Sequence, residues 1–411
     1  MLFIDALELW QFRNYAQLKW EGLNQYNLIV GQNGQGKSNL LEAIYYLSHG
    51  RSNRSTRDQE LIRHAQGGVL ESQDDPFLGQ GSRVALKLKD SHQLEARFMS
   101  VLSETGYRKW KTLFLIDGNR CKSRSEIVGR LPTVSFYLSD LEIVRGTPQH
   151  RRRWLDLATI QRHPLHLEHL QTWKKVLAEK NALLKQVDFP HPSPEHLALL
   201  DVLNIQLSHL AYTLIEGRLQ TLQHLQNALP RLYHHLSKGK EGVPLLNYHV
   251  VQWPDALTLF EHLTKEDWIN ACQARLLELL PQEIRRQNVS WGIHRDDVEI
   301  TFEAGGHHVD VRTYASQGQQ RSVVIALKLA ELQMLQGTLH QDPIILLDDI
   351  MAELDVERQQ ALLEVFPKSS QVFLTTPYLD TQTHFKSLLD AKAQGIRTWL
   401  VEDGAIHRHL L

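Results

Sequence analysis

The stretch NLIVGQNGQGKSNLLEAIYYLS, residues 27–48, constrains this chain more than any other. Its central part, residues 31–38, fits the pattern G-x-x-x-x-G-K-[ST] of a phosphate-binding loop. An apolar run at 28–30 precedes the loop, and leucine, alanine and isoleucine follow it at helical spacing. The sequence therefore predicts a strand, a loop and a helix in succession, which is the local structure that the pattern requires.

The residue types in this loop suit a nucleotide. The glycines let the backbone turn its N–H groups inward around phosphate oxygens, and the dipole of the following helix favours an anion there. Lys37 supplies a positive charge for the β- and γ-phosphates, and the Ser38 hydroxyl is suited to ligate Mg²⁺. The alternative is a glycine-rich turn before an ordinary helix, but the pattern arises by chance in only roughly 1–2% of chains this long. The residues expected to hold the nucleotide are Gly31, Gln32, Asn33, Gly34, Gln35, Gly36, Lys37 and Ser38.

Composition narrows the class of protein. A chain of 411 residues with 42% hydrophobic residues has enough apolar side chains for two or three folded domains. No apolar run approaches the ~18 residues of a membrane span, and the first residues lack the basic region of a secretion signal. The two cysteines, Cys121 and Cys272, form no C-x-x-C pair, and the 22 histidines are scattered. We therefore expect a cytoplasmic protein without a membrane partner and without a zinc site.

Three regions differ in their hydrophobic pattern. Residues 1–140 alternate as strands around the loop, residues 141–285 follow helical spacing, and strand patterns return in 286–411. This order predicts an α/β fold: a mixed sheet with an antiparallel β subdomain, interrupted by an inserted α-helical domain. Inside the insert, leucines alternate by three and four from Leu200 to Leu214, but the seam loses phase after Gly217. Two heptads predict a short helical hairpin rather than a long coiled coil.

A second motif lies near the C-terminal end of the chain. The apolar run 344–347 ends in Asp348 and Asp349, and open α/β sheets bind ligands at the carboxyl ends of their strands. We expect Asp348 to hold Mg²⁺ through water and Asp349 to orient or deprotonate the attacking water. The alternative, two acids that cap the next segment, is disfavoured by the phosphate-binding loop in the same chain. The expected catalytic residues are Lys37, Asp348 and Asp349.

A third motif, YASQGQQRS at 314–322, places Ser316 and Gln319 at capping-box spacing. Alone it indicates only the start of a helix. Some thirty residues before an acid-ended strand, it resembles the signature motif of ABC-type ATPases, which one subunit presents to the ATP of another. The resemblance implies a contact with ATP in trans for Ser316, Gln317, Gly318, Gln319 and Asp355, the last in the position of the dimer-facing loop.

The spacing between the motifs separates related classes. Lys37 and Ser316 are 279 positions apart, much more than a compact transporter ATPase needs and much less than an SMC protein with its long coiled coil. The insert is of the size of a helical hairpin.

Taken together, the motifs resemble the RecF family of bacterial recombination-repair ATPases. The matching segments are FRNY (12–15), GQNGQGKSNLLEAI (31–44), YLSDLEIVRGTPQHRRRWLD (137–156), KKVLAEKNALLK (174–185), WGIHRDDVEI (291–300), ASQGQQRS (315–322) and LLDDIMAELD (346–355). The departures are few: the family tends to have arginine at Lys180, a proline within the segment around Asp140, and a proline before His294.

The resemblance implies a specific function. It indicates an ATP-dependent homodimer that binds DNA at single-strand gaps and duplex junctions, and that works with RecO and RecR to load RecA onto SSB-coated DNA. It also implies a place near the phosphates for Arg13 of FRNY. Because aspartate is one methylene shorter than the glutamate usual after the metal-binding aspartate of ABC enzymes, Asp349 predicts slow turnover, with ATP acting as a switch.

A local basic cluster is the candidate DNA contact, since the net charge of −2 gives no global basic excess. It consists of Arg145, Arg151, Arg152 and Arg153. These arginines could equally pair with acids on neighbouring segments. Two other functions remain open: a transporter ATPase subunit, and a P-loop NTPase such as a metabolic kinase that does not act on DNA.

Overall fold

The computed structural model of the chain describes residues 2–63, 81–102, 108–188, 190–237, 242–304, 306–377 and 396–409. The strands are β1 (Ile4–Phe12), β2 (Tyr15–Glu21), β3 (Tyr26–Val30), β4 (Gly81–Leu88), β5 (Gln93–Leu102), β6 (Arg108–Ile116), β7 (Asn119–Arg120), β8 (Thr133–Phe136), β9 (Val243–His249), β10 (Asp297–Ala304), β11 (His307–Asp310), β12 (Ile344–Asp348), β13 (Val372–Thr376), β14 (Ile396–Glu402) and β15 (Ala405–His409). The helices are α1 (Lys37–His49), α2 (Glu142–Arg145), α3 (Pro148–Arg162), α4 (Leu165–Leu184), α5 (Pro194–Ser237), α6 (Ala256–His262), α7 (Lys265–Arg286), α8 (Val311–Tyr314), α9 (Gln317–Leu339) and α10 (Val356–Val365).

The chain divides into two compact units. The first comprises Met1–Asp140, His235–Gly239 and Ile325–Leu411, and the second comprises Leu141–His234 and Lys240–Val324. Two six-stranded sheets belong to the first unit, and a three-stranded sheet with most of the helices belongs to the second.

One sheet of the first unit contains the strand that leads into the phosphate-binding loop. Its order is β15-β14-β3-β13-β12-β8, and only the edge strand β15 pairs antiparallel within it. Every residue of β3 and β13 is buried, as expected of parallel strands that are covered on both faces. The other sheet is antiparallel, in the order β2-β1-β4-β5-β6-β7, and α1 packs against strands of both sheets. The predicted combination of a mixed sheet with an antiparallel subdomain is confirmed.

The second unit is built on long helices. The adjoining ends of α4 and α5 pack with the C-terminal half of α7 in an apolar cluster. Its buried members are Leu184, Val187, Leu200, Leu280, Ile284 and Val289. This is the hairpin that the leucine spacing predicted. Helix α5 does not end where the leucine seam loses phase, however, but continues to Ser237 and has 44 residues in all. Beyond Gly217 its buried face combines apolar side chains such as Leu225 and Leu229 with Arg218, which is 2% exposed and forms a bidentate ion pair with Asp156 at 2.8 and 3.0 Å.

By length and composition alone, α5 would also pass for a membrane-spanning helix. Its buried positions argue for the core helix of a globular unit instead. Asn204, Ser208, Arg218 and Thr221 are all buried polar residues, and the last two donate hydrogen bonds inside the second unit.

The second unit extends further along the chain than the helical segment 141–285. Strand β10 pairs with β9 over seven residue pairs, and β11 pairs with β10, so the segment after residue 286 stays with the helices as far as Val324. Because helical spacing dominates residues 141–285, the sequence did not predict strand β9. Its partner strand, β10, begins only some fifty residues later.

A buried ion pair holds α4 to the end of α7. Lys180 Nζ lies 2.6 Å from Glu283 Oε2, and both side chains are 0% exposed. The other carboxylate oxygen of Glu283 accepts from the Ser290 N–H at 2.7 Å, and Asn181 Oδ1 accepts from the Val289 N–H at 2.9 Å. Burial lowers the pKa of Lys180, and the Glu283 carboxylate opposes that shift. Lys180 therefore neutralises a buried carboxylate.

We predict that Lys180→Met destabilises the protein by about 3–5 kcal/mol, because it leaves the Glu283 carboxylate buried without its cation. Urea unfolding followed by circular dichroism measures the change. Lys175→Met on the same helix is the matched control, since Lys175 is 78% exposed and meets Glu179 only at 3.9 Å. Equal stability of the two variants would contradict this account of the pair.

Candidate nucleotide site

Two glycines give the phosphate-binding loop its shape. Gly36 has a φ of 111°, in the region that favours glycine, and a Cβ there would lie 2.5 Å from Asn14 Nδ2. A Cβ on Gly31 would collide with the carbonyl oxygen of Val401. The space that these glycines leave open is occupied by Val401 of β14 and by Asn14, which pack directly against the loop.

Asn14, in the turn between β1 and β2, supports the loop from outside. Its Nδ2 donates to the Gln35 carbonyl at 2.8 Å, and its Oδ1 accepts from Asn39 Nδ2 at 2.8 Å. The Tyr15 hydroxyl donates to the Gly36 carbonyl at 3.1 Å. From the turn between β14 and β15, the Asp403 N–H donates to Gln35 Oε1 at 2.5 Å. Two hairpin turns therefore hold the loop that β3 and α1 form.

Lys37 is fixed across its own loop. The side chain is buried, and Nζ donates to the Gly31 carbonyl at 2.7 Å and to the Gln32 carbonyl at 3.1 Å. Burial lowers the pKa of Lys37, while the carboxylates of Asp349 and Asp348 oppose the shift. The ammonium group is thus held where the motif requires a charge for phosphate.

The predicted metal ligands meet directly. Ser38 Oγ donates to Asp348 Oδ1 at 2.8 Å, although the two residues are 310 positions apart in the chain. Burial raises the pKa of Asp348, and the hydrogen bonds from Ser38 and Thr375 oppose that shift. A hydroxyl and a carboxylate side by side are the oxygen ligands that Mg²⁺ prefers, so these residues fit a magnesium nucleotide.

Thr375 completes this edge of the sheet, and the sequence analysis missed it. It lies beside Asp348 in the parallel pairing of β12 and β13. Its hydroxyl is 2.8 Å from Asp348 Oδ1 and 3.3 Å from Asp349 Oδ1, and it accepts from the Asp349 N–H at 2.9 Å. Asp349 itself has a φ of 52°, a conformation that is uncommon outside glycine and recurs at functional sites. The available signal was the pair of threonines that ends the apolar strand QVFLTT (371–376).

Arg13 is held by an acidic side chain of α1. The guanidinium forms a bidentate pair with Glu42 at 2.7 and 2.9 Å and also donates to Ser55 Oγ and to the Glu60 carbonyl. Glu42 is fully buried in α1, so it needs this cation. Arg13 therefore fastens the segment after α1 to that helix, and its place near the phosphates stays a prediction.

Arg54, from that same segment, is the better candidate for a phosphate contact. Its Nη1 donates to Asn39 Oδ1 at 3.1 Å, one residue beyond Ser38, and the side chain is 47% exposed. Its charge also opposes the rise that burial causes in the pKa of Asp348. The signal in the sequence was RSNRSTR (51–57), in which arginines recur every third residue directly after α1.

The signature-like motif lies in the second unit and forms the predicted capping box. The Gln319 N–H donates to Ser316 Oγ at 3.2 Å, and the Ser316 N–H donates to Gln319 Oε1 at 2.7 Å. Ser316 and Gln317 are exposed, whereas the Gln320 side chain is buried and donates to the carbonyls of Val311, Arg312 and Ala315. The buried Gln320 side chain thus fixes the start of α9, while Ser316 and Gln317 are exposed to solvent. Asp355 caps α10 by accepting from the Arg358 N–H at 2.8 Å.

The basic cluster chosen for DNA is mostly committed to contacts inside the second unit. Arg151 is 9% exposed and forms a bidentate pair with Asp297, both bonds at 2.8 Å. Arg152 donates to the Asp296 carbonyl, and Arg145 donates to Gln320 Oε1 at 2.7 Å. Arg153 also has partners and is half-buried. Arg151 and Arg152 therefore tie α3 to residues 296 and 297 at the start of β10, and the contact of these arginines with DNA stays a prediction.

Comparison with known proteins agrees with this geometry. Residues 3–396 match the family model described as RecF/RecN/SMC N terminal domain. The chain is 34% identical over 389 residues to the DNA replication and repair protein RecF of Bacillus subtilis (strain 168), a match that covers 93% of this chain and 95% of that protein. This chain belongs to the RecF family.

Solved structures place the RecF fold in a wider group. A structure of the recombination mediator protein RecF-ATPrS in the RecFOR pathway superposes with a TM-score of 0.79 at 27% identity, covering 100% of this chain and 98% of the other. The Smc head domain with an extended coiled coil from Pyrococcus furiosus superposes with a TM-score of 0.50 at 19% identity, covering 100% of this chain and 96% of the other. The second likeness shows the fold alone. The predicted ABC-type ATPase head with a helical insertion is confirmed, and the resemblance to the RecF family with it.

We predict that Asn14→Ala weakens ATP binding about tenfold, since two hydrogen bonds of about 1 kcal/mol each would no longer hold the loop in shape. Isothermal titration with ATP and Mg²⁺ measures the affinity. Asn119→Ala, at an exposed position of β7 in the antiparallel sheet, is the matched control and should bind as wild type does. Wild-type affinity in Asn14→Ala would show that the loop keeps its shape without this support.

Proposed function

We propose that this chain is a cytoplasmic ATP-dependent switch of recombinational DNA repair that works as a homodimer. The observation that carries the proposal is the exposure of Ser316 and Gln317 on a capped helix start, a half-site suited to the nucleotide of a second copy. The complementary half, made by Lys37, Ser38 and Asp348, is assembled within the first unit. ATP bound by one copy and touched by the other would stabilise the dimer through mass action.

The residues of the first unit divide the work on ATP. The loop from Gly31 to Ser38 binds the phosphates, and Lys37 neutralises part of their charge. Ser38 and Asp348 would hold Mg²⁺, which supplies further charge neutralisation when it is bound. Asp349 orients the attacking water or takes its proton. Because its carboxylate stands on a short side chain hydrogen-bonded to Thr375, ATP turnover is slow. The ATP-bound dimer therefore persists for longer than the hydrolysis step itself takes.

The role in repair rests on the family. The relatives are named DNA replication and repair proteins, and the RecF structure is assigned to the RecFOR pathway. We infer that this chain binds DNA at single-strand gaps and duplex junctions, and that with RecO and RecR it promotes loading of RecA onto SSB-coated DNA. Family membership disfavours a transporter subunit and a kinase, since neither belongs to this group.

The proposal predicts that wild-type protein sediments as a dimer only with ATP and Mg²⁺, and that the dimer binds gapped duplex DNA. Ser316→Arg should remain a monomer with ATP at every concentration where wild type dimerises, because the added charge and bulk fill the half-site. Ser193→Arg, at another capping serine of the same unit, should dimerise normally. Analytical ultracentrifugation with and without ATP and DNA measures both properties. ATP-independent monomers that ignore DNA would refute the function, and dimers of Ser316→Arg would refute the shared site.

We also predict that Asp349→Asn lowers ATP turnover by roughly 10²-fold or more, the usual contribution of a general base, while ATP-dependent dimerisation persists. Phosphate release under saturating ATP measures the rate. Asp90→Asn, at an exposed carboxylate between β4 and β5, serves as the control and should turn over at the wild-type rate. If Asp349→Asn hydrolyses ATP as fast as wild type, the assignment of the base is wrong.

A further inference from the structure

Tyr137 lies at the edge of the sheet where the nucleotide site forms. It directly follows β8, whose last residue, Phe136, pairs with Leu347 of the parallel strand β12. The next residue along β12 is Asp348, so Tyr137 emerges beside the predicted metal ligand. The Tyr137 ring meets the ring of Tyr45 on α1 edge to face, with centroids 6.1 Å apart. The side chain therefore occupies the space between β12 and the helix that carries Ser38.

The Tyr137 hydroxyl is buried without a partner. The residue is 7% exposed, and among the residues that the structure describes its hydroxyl oxygen finds no donor or acceptor. A buried hydroxyl that makes no hydrogen bond costs free energy, and native structures seldom leave one. Such a group at a functional edge indicates that something absent from the isolated chain completes it.

The surroundings of the Tyr137 hydroxyl indicate which kind of atom would complete its hydrogen bonding. Burial raises the pKa of Tyr137 well above its ordinary value, and the carboxylates of Asp348, Asp140 and Glu42 reinforce the shift. The hydroxyl therefore keeps its proton and acts as a donor. What it lacks is an acceptor oxygen, which a hydrated metal ion or a phosphate group brings to this edge.

The segment around Tyr137 is held in place. The Tyr137 N–H donates to Asp140 Oδ2 at 2.8 Å. Burial raises the pKa of Asp140 to about 6, and the ammonium group of Lys328 opposes the shift. Lys328, on α9, in turn pairs with Glu331 at 2.6 Å. The hydrogen bond from the Tyr137 N–H to Asp140 thus fixes the backbone that presents the Tyr137 ring.

We propose that Tyr137 is a further residue of the nucleotide site, whose hydroxyl donates a hydrogen bond to an oxygen that arrives with the magnesium–ATP complex. This inference rests on the proposed function only for the identity of the ligand. The hydroxyl gains its first partner when the complex binds, so its contribution is to ligand binding and not to the stability of the ligand-free fold.

Tyr137→Phe tests this role, since it keeps the ring and removes only the hydroxyl. Affinity for ATP is measured with Mg²⁺ and again with EDTA, and unfolding is measured without any ligand. We expect the gain in ATP affinity that Mg²⁺ confers to fall roughly tenfold, the usual loss for a hydrogen bond to a charged partner. Affinity in EDTA should stay near the wild-type value, and ligand-free stability should be unchanged or higher.

Tyr46→Phe is the matched control, because Tyr46 is a buried tyrosine of α1 whose ring packs on Phe98 and Phe114. Its magnesium-linked gain should equal that of wild type. A wild-type gain in Tyr137→Phe overturns the proposal, whether or not ligand-free stability falls. The proposed function is tested separately, since wild-type protein that binds magnesium–ATP but never dimerises would refute the switch and leave the role of Tyr137 intact.

Discussion

The parallel pairing of β3, β13 and β12 is the constraint on which the rest of the structure depends. It places the end of β3, where the phosphate-binding loop begins, two strands away from the end of β12, where Asp348 lies. Parallel strands end at one edge of a sheet, so a loop at residue 31 and an acid at residue 348 share a site despite their separation in the chain. The hydrogen bond from Ser38 to Asp348 is the direct result. Without this pairing, the Ser38 hydroxyl and the Asp348 carboxylate would not meet.

The loop depends on its neighbours as much as on its glycines. Asn14 and Asp403, from turns at opposite ends of the chain, both hydrogen-bond to Gln35. Asn14 packs where a side chain on Gly36 would otherwise stand, and the Val401 carbonyl oxygen packs where one on Gly31 would stand, so glycine at these positions serves the packing of the loop as well as its turn. Fixed in this way, the loop meets a nucleotide without a large cost of ordering.

The partners of the arginines could not be inferred from the sequence. Arg13, Arg151 and Arg152 were assigned to phosphate or DNA from their place in motifs or runs, yet each has a carboxylate or carbonyl partner that burial makes necessary. The partner of Arg151 is Asp297, 146 positions away, and no local pattern announces it. Arg54 drew no attention in the sequence because it lies outside every motif, although it reaches Asn39 beside the loop.

The sequence by itself determined the chemistry that depends on local geometry. The strand, loop and helix around Lys37, the acid-ended strand at Asp348 and the capping box at Ser316 each require only a few neighbouring residues, so their patterns predicted them correctly. The family followed from the same motifs and their spacing. Only the tertiary structure decided which charges are neutralised, that Thr375 stands beside both aspartates, that β9 pairs with β10, and that the Tyr137 hydroxyl finds no acceptor among the residues that the structure describes. These features depend on contacts between distant segments, which burial and strand pairing select and which no short stretch of sequence encodes.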